Sequence, residues 1–137
     1  MGIIRSTFLG GGSNSAVGRA HVSALRLDGL FNLRGGSFSS NSENNKRSLS
    51  DYQVDAGISF SGVDDLVKRK ELFDLVHVLT PPKDHHSQLK TLIGSGISLI
   101  SEKPLVTSVD EAKELRSLQR QGGGFFAVMY NYLGYPM

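Results

Sequence analysis

The sequence predicts an α/β fold with a doubly wound parallel sheet of about six strands. Short apolar runs alternate along the chain with segments whose apolar residues recur about every 3.6 positions, the pattern of repeated strand–helix units. The first apolar run stops at three consecutive glycines, and a helical pattern follows directly. Residues 73–80 are almost continuously apolar, as expected of a central strand that is covered on both faces.

The first half of the chain predicts three strands and three helices. Residues 3–9 predict a strand and glycines 10–12 a turn. The next helix ends at Asp28-Gly29, and its buried face is expected to carry Val17, Ala20, His21, Ala24 and Leu25. Residues 31–38 predict the second strand, residues 43–52 a helix and residues 58–60 a short strand. A helix over residues 63–70 follows, with Ser61 as its expected cap.

The second half continues the alternation. Thr80-Pro81-Pro82 ends the central strand, and the next helix is expected to end at Gly94 or Gly96. Residues 98–101 predict a strand. Ser108 and Glu111 have the spacing of a capping box, and they open a helix that glycines 122–124 terminate. Residues 125–132 predict the last strand.

Composition and charge exclude several functional classes. A chain of 137 residues has the length of one domain and buries a sizeable core without disulfides. The absence of cysteine excludes thiolate zinc sites, cysteine nucleophiles and disulfides, and it favours a reducing, cytoplasmic location. Fifteen Lys and Arg face 13 Asp and Glu, which predicts no nucleic-acid partner. No apolar run has the roughly 20 residues of a membrane span, and the N-terminus lacks the features of a secretory signal.

The glycine cluster is typical of a pyrophosphate site, because a helix N-terminus presents free amides to an anion when no side chain blocks its approach. Gly10, Gly12 and Gly18 would supply that clearance. Five residues lie between Gly12 and Gly18, where the G-x-G-x-x-G fingerprint has two. Taken alone, the pattern is equally consistent with a flexible connection between a strand and a helix.

Residues 80–86 follow the central strand, at the sheet edge where ligands of open α/β folds bind. A binding role is therefore expected here. The alternative interpretation is that Asp84 and His85 only decorate a helix start, where an acid suits the helix dipole. His77, inside the apolar strand, is expected to be a hydrogen-bonded core histidine.

Glu102-Lys103-Pro104 follows the next strand, again at the carboxyl edge of the predicted sheet. A lysine at this place can position a substrate hydroxyl or donate a proton to it. Most lysines are solvated at the surface, so on composition alone the surface interpretation is favoured.

Together these segments resemble the N-terminal domain of the Gfo/Idh/MocA family, the glucose-fructose oxidoreductases and inositol dehydrogenases, from about Thr7 to the end of the chain. Four stretches carry the resemblance in the family's order: LGGGSNSAVGRAH at residues 9–21, VLTPPKDH at 78–85, ISEKPL at 100–105 and YNYLGYP at 130–136. The first resembles a branch with a lengthened phosphate loop, in which Gly18 and His21 keep the family's register.

The resemblance implies an NAD(P)-dependent oxidoreductase that transfers hydride between a nicotinamide cofactor and a sugar, cyclitol or related polyol. It implies that Lys103 is catalytic, with Glu102 and Pro104 shaping its loop, and no metal is expected. The cofactor contacts that it implies are Gly10, Gly12, Ser15, Val17, Gly18, Ser39, Ser40, Thr80, Pro81, His85, Glu102, Lys103 and Asn131.

NADP is favoured over NAD, because the acid that holds the ribose hydroxyls of NAD about 20 residues beyond the glycines is missing here. No acid precedes Glu43 in this region. Ser39 and Ser40 can bond a 2′-phosphate, and Lys46 or Arg47 can approach it.

Members of the family continue into a C-terminal domain that carries the substrate pocket and the oligomer interface. Residues 1–137 are therefore expected to form the NAD(P)-binding Rossmann domain alone, without that second domain. We expect such a chain to bind the cofactor without turnover, and a longer form to be a homo-oligomer. The alternative is a non-catalytic dinucleotide-binding module with a regulatory or interaction role.

Overall fold

The computed structural model describes residues 2–54 and 58–134. Five strands form one parallel sheet in the order β2-β1-β3-β4-β5. The strands are β1 (Ile4–Gly10), β2 (Phe31–Ser37), β3 (Leu75–Leu79), β4 (Leu99–Glu102) and β5 (Phe126–Met129). The predicted α/β fold with a doubly wound parallel sheet is confirmed.

Helices connect the strands on both faces of the sheet. They are α1 (Ala16–Leu27), α2 (Ser42–Asp51), α3 (Val63–Lys68), α4 (Pro82–Gly94) and α5 (Val109–Arg120), with 3-10 turns at Lys70–Leu72 and Asn131–Gly134. The capping box predicted at Ser108 and Glu111 opens α5. Within the described residues, no helix is long and apolar enough to cross a membrane.

A hydrophobic core lies on each face of the sheet. On one face α3, α4 and α5 pack against β3 and β4, and the buried residues include Val76, Val78, Leu89, Leu99 and Leu115. On the other face α1 and α2 pack against β1, with Phe8, Val22, Leu25, Phe38 and Leu49 among the buried residues. All five residues of β3 are buried, which explains its continuous apolar run and confirms its central place.

The sheet has five strands in the described residues, and the expected strand at residues 58–60 contributes one parallel bridge between Ser59 and Gly36. The Arg69 guanidinium donates to the carbonyl of Ser59, which is therefore bound to a side chain instead of a neighbouring strand. The bridge lies beside β2, so it marks the place of the short sixth strand that the sequence predicts.

Two local predictions are wrong. Gly62, with a φ of 152°, precedes α3, and the Asp65 carboxylate accepts from the Ser61 amide instead of Ser61 capping the helix. Strand β5 ends at Met129, because the chain turns into a 3-10 helix in which the Leu133 amide donates to the carbonyl of Tyr130. The last residues of the fourth matched stretch, 135 and 136, lie outside the described residues.

The buried face of α1 also differs from the prediction. Val22 joins His21 and Leu25 in the interior, whereas Val17, Ala20 and Ala24 are exposed. Only one apolar stripe of α1, which contains Val22 and Leu25, is buried against the sheet. Its second apolar stripe faces a cavity beside the ends of β4 and β5.

Candidate functional site

A cleft of about 690 Å³ lies at the carboxyl edge of the sheet, where β1 separates β2 from β3. In open α/β sheets this is the point at which the chain winds in opposite directions and ligands bind. Its volume is in the range of clefts that hold cofactors. Eight of the predicted cofactor-binding residues line it: Gly10, Gly12, Ser15, Val17, Ser39, Ser40, Thr80 and Pro81.

Glycines allow the backbones around this cleft to meet at close range. Gly10 and Gly11 have φ angles of 82° and 69°, which disfavour any residue with a side chain. A Cβ added to Gly18 would lie 2.0 Å from the carbonyl oxygen of Gly11, and one added to Gly10 would lie 2.7 Å from the amide nitrogen of Thr80. Gly18 itself does not line the cleft, and its close contact with Gly11 packs α1 against the loop. Gly11, its partner in that contact, was not among the predicted residues.

Helix α1 starts at the rim of the cleft. Ser15 caps it, since its hydroxyl accepts from the Gly18 amide at 3.3 Å, and the Ser15 amide donates to the carbonyl of Gly12 at 2.8 Å. The amides of the first helical turn have no partner within a helix. The cleft therefore receives the positive end of α1, which suits an anion such as a pyrophosphate.

Hydroxyl groups line the cleft at the end of β2. The side-chain oxygen of Asn45 accepts from the amides of Phe38 and Ser39, at 2.7 and 3.3 Å, and holds this segment in place. Ser40 is exposed at the cleft, and Ser39 is partly so. Lys46 and Arg47, the basic residues predicted to approach a 2′-phosphate, lie on the exposed surface of α2 and do not line the cleft.

A second cavity of about 400 Å³ adjoins the first, and Val17 lines both. It lies between α1 and the ends of β4 and β5, and Glu102, Lys103 and Asn131 line it. The predicted residues other than Gly18 and His85 thus line one or both of two neighbouring cavities. The glycine loop and the serines line the first, and Glu102, Lys103 and Asn131 line the second.

A network of polar side chains connects α1 with the Glu-Lys-Pro segment. Nε2 of His21 lies 2.8 Å from one carboxylate oxygen of Glu102, and the other oxygen accepts from the Lys103 amide at 3.1 Å. On its other side, Nδ1 of His21 lies 3.3 Å from Nδ1 of His77. A carboxylate only accepts, so His21 donates to Glu102 through Nε2. The network therefore orients Glu102, and through it the backbone of Lys103.

His77 is the core histidine that the sequence predicts. It is 3% exposed, and its Nε2 lies 3.3 Å from the hydroxyl of Ser6. Burial, assisted by the neighbouring His21, lowers the pKa of His77 to about 3. The ring is therefore neutral at physiological pH, and it accepts a hydrogen bond from one neighbour while donating to the other.

This pKa predicts an acid-sensitive fold. An unfolded histidine takes up a proton near the ordinary histidine pKa of 6.5, whereas folded His77 stays neutral down to about pH 3. The unfolded state binds more protons in that window, so the stability falls as the pH drops below 6.5, by at most about 1.4 kcal/mol per pH unit from this one group. Urea unfolding at pH 7 and 5 checks this. His77→Gln should lose less stability over that interval than the wild type, and an equal loss would contradict it.

His85 lies beneath the two cavities and lines neither of them. It is fully buried, with Nε2 2.8 Å from the carbonyl oxygen of Thr80 and Nδ1 3.0 and 3.1 Å from those of Pro104 and Leu105. The ring joins the Thr-Pro turn to the Glu-Lys-Pro segment. The ring lines neither cavity, so the predicted cofactor contact of His85 stays a prediction. Asp84 and His85 do lie at the start of α4, as the alternative interpretation expects, and the buried His85 ring also has these hydrogen-bond partners.

Residues 5–130 match the model of the Gfo/Idh/MocA family, described as an oxidoreductase family with an NAD-binding Rossmann fold. The uncharacterized oxidoreductase YfiI of Bacillus subtilis strain 168 is 30% identical over 139 residues, which cover 98% of this chain and 35% of that protein.

Two solved structures are similar to this chain in both fold and sequence. An oxidoreductase from Sinorhizobium meliloti superposes with a TM-score of 0.89 at 30% identity, covering 100% of this chain and 39% of that one. An inositol dehydrogenase homolog from Azotobacter vinelandii, complexed with NAD+, superposes with a TM-score of 0.90 at 28% identity, covering 98% of this chain and 36% of that one. The chain thus spans little more than a third of the length of these relatives.

Proposed function

The chain belongs to the Gfo/Idh/MocA family of oxidoreductases, and on that basis we propose that it is the NAD(P)-binding part of a dehydrogenase acting on a sugar, cyclitol or related polyol. One observation carries the proposal. The cleft at the start of α1 and the second cavity, which Lys103 lines, share Val17 as a wall residue. A nicotinamide dinucleotide has an anionic pyrophosphate at its centre and a reactive ring at one end. The cleft suits the first part, and the second cavity suits the second.

The residues present fit such a cofactor. Glycines stand where a Cβ would strike the backbone beside the start of α1, so an extended anion can approach the helix amides closely. We propose that the adenosine half lies toward Ser39 and Ser40, and that the nicotinamide passes Val17 toward Glu102 and Lys103. The NAD+ complex of the Azotobacter vinelandii homolog supports a dinucleotide as the ligand.

Lys103 is the candidate catalytic residue. The bound nicotinamide supplies or accepts the hydride. Oxidation of a hydroxyl also releases a proton, and Lys103 is an exposed side chain at the second cavity that can position the hydroxyl and exchange that proton. The Glu102 carboxylate accepts from the Lys103 amide and so fixes where the lysine side chain starts.

We propose that the substrate pocket needs more chain than residues 1–137. The second cavity is bounded by α1, β4 and β5, and the relatives are more than twice as long as this chain. A further domain of the kind those lengths allow would supply the opposite wall of the pocket. The substrate, the turnover and a homo-oligomeric state belong to that longer form.

We also propose a preference for NADP. The residues of the described cleft at the end of β2 are Ser37, Phe38, Ser39 and Ser40, none of which is acidic. A carboxylate at this place would accept from the ribose hydroxyls of NAD and repel a 2′-phosphate. Serine hydroxyls are able to donate to that phosphate, so they favour the phosphorylated cofactor.

Calorimetric titration with NADPH and NADH tests both proposals. We expect NADPH to bind more tightly and to stabilise the chain, by about 2.7 kcal/mol at a hundredfold excess over Kd. Ser40→Asp should reverse the order, because the new carboxylate repels the 2′-phosphate, while Ser50→Ala on the exposed side of α2 should leave both affinities unchanged. Absence of binding by either cofactor at millimolar concentration would refute the dinucleotide site. Tighter binding of NADH would refute the NADP preference alone.

A further inference from the structure

The loop between β1 and α1 is long, and few hydrogen bonds within the loop fix its conformation. Between the end of β1 at Gly10 and the start of α1 at Ala16 stand five residues, and they form one backbone hydrogen bond among themselves, from the Ser15 amide to the Gly12 carbonyl. Each ordered backbone residue costs about 1–2 kcal/mol of conformational free energy. A loop of this length needs contacts from outside to present its amides in one arrangement.

Ser48 of α2 supplies the first such contact. It is 1% exposed, and its hydroxyl oxygen accepts from the Ser13 amide at 2.9 Å. The same oxygen lies 2.7 Å from the carbonyl of Asn44, one turn earlier in α2, and the hydroxyl hydrogen is directed there. The lone pairs of the oxygen are thereby left for the loop. The Ser13 hydroxyl lies 3.4 Å from the same atom.

Tyr52, four residues after Ser48, supplies the second contact. Its phenol donates to the Gly11 carbonyl at 3.0 Å, and the residue is 5% exposed. Burial raises the pKa of Tyr52, so the phenol keeps its proton and remains a donor. Its ring packs edge-on against Phe8 and Phe38, with ring centres 6.4 and 5.5 Å away.

The Tyr52 contact is made where the loop meets α1. The carbonyl of Gly11 is the group that a Cβ on Gly18 would strike, and the phenol oxygen of Tyr52 lies 2.8 Å from that same Cβ position. The loop carbonyl is therefore held between α1 and α2. Neither Ser48 nor Tyr52 lines the cleft, so neither contacts a ligand there.

We propose that Ser48 and Tyr52 are positioning residues for the pyrophosphate of the dinucleotide. They bind one amide and one carbonyl of the loop without lining the cleft. These two hydrogen bonds fix the orientation of the loop and of the start of α1 before the ligand binds. The proposal rests on the proposed dinucleotide site. It adds that Ser48 of α2 and Tyr52, which directly follows α2, raise the affinity for the pyrophosphate although neither lines the cleft.

If Ser48 and Tyr52 act through the loop, changing them should lower the affinity for some ligands only. A general loss of stability would not distinguish between ligands. Ligands that contain a pyrophosphate, such as NADPH and ADP-ribose, should lose affinity when Ser48 or Tyr52 is changed. Adenosine has no phosphate and contacts the β2 end of the proposed site, so its affinity should stay the same. A variant that merely loosened the fold would lower the affinity for all three ligands.

The experiment measures Kd for these three ligands with Tyr52→Phe, Ser48→Ala and the double variant. Loss of one hydrogen bond predicts a rise in Kd for NADPH of about tenfold for Tyr52→Phe and about fivefold for Ser48→Ala. The double variant should lose less than the product, because both residues hold the same loop. Tyr130→Phe and Ser50→Ala are the matched controls, both at exposed residues, and should change Kd by less than twofold.

Hydrogen exchange of the Ser13 amide in the ligand-free chain gives a second measurement. Ser48→Ala should accelerate that exchange while the exchange of the β3 amides, in the sheet centre, stays unchanged. Wild-type binding of NADPH with unchanged Kd in Tyr52→Phe and Ser48→Ala would overturn this inference and leave the proposed function standing. A wild-type chain that binds neither NADPH nor NADH would overturn both.

Discussion

Gly18→Val is expected to weaken dinucleotide binding by at least about a hundredfold, the largest effect of any single change at the cleft, equivalent to about 2.7 kcal/mol. The Cβ would lie 2.0 Å from the oxygen and 2.5 Å from the carbon of the Gly11 carbonyl, which are backbone atoms held by Tyr52. Neither atom can move away without a change in the backbone conformation of the loop. The third glycine of the fingerprint serves this close packing of helix on strand.

Gly18→Ala should already show most of the loss, since the clash comes from the Cβ itself. Gly94→Ala is the matched control, because a Cβ at Gly94 meets nothing within 4 Å and the residue lies in α4. Titration with NADPH gives the affinities, and thermal unfolding without ligand separates them from any loss of stability. Normal binding by Gly18→Val would mean that the register assigned to the extended loop is wrong.

Lys103→Ala is expected to reduce turnover by about 10²–10⁴, the usual contribution of a positioned proton-transfer group. The measurement needs a polypeptide extended to the length of the relatives, with polyol-dependent formation of reduced nicotinamide as the readout. Cofactor affinity should change little, because the proposed pyrophosphate and adenosine contacts are made in the cleft, which Lys103 does not line. The 137-residue chain alone should bind cofactor without measurable turnover.

Lys113→Ala is the matched control for Lys103→Ala. Lys113 is an exposed lysine of α5 whose ammonium group lies 3.3 Å from the Asp110 carboxylate, an ion pair that contributes little at the surface. Its loss should leave turnover unchanged. Full activity of the extended Lys103→Ala protein would remove Lys103 from the mechanism, and polyol oxidation by the 137-residue chain alone would refute the need for a further domain.

Local signals in the sequence determined the fold class and the places of its ligand-binding segments. Apolar periodicity identified the strands and helices around Leu75–Leu79, because burial on both faces of a central strand leaves a continuous apolar run. Glycines, the Thr-Pro turn and the Glu-Lys-Pro segment follow strands directly, and parallel strands bring their carboxyl ends to one edge of the sheet. Each of these signals lies within a few neighbouring residues.

Only the tertiary structure decided which side chains act together. Tyr52 and Gly11 are 41 positions apart, Ser48 and Ser13 are 35 apart, and His21 and Glu102 are 81 apart. Such pairs leave no periodicity or motif, since Ser48 on α2 or Tyr52 directly after it has the same local pattern whether it faces solvent or a loop. The same limit applies to the short strand at residues 58–60, whose backbone carbonyl binds the Arg69 side chain instead of another strand. Local propensity indicates where an element begins and ends, and packing between distant segments selects the hydrogen-bond partner of each buried polar group.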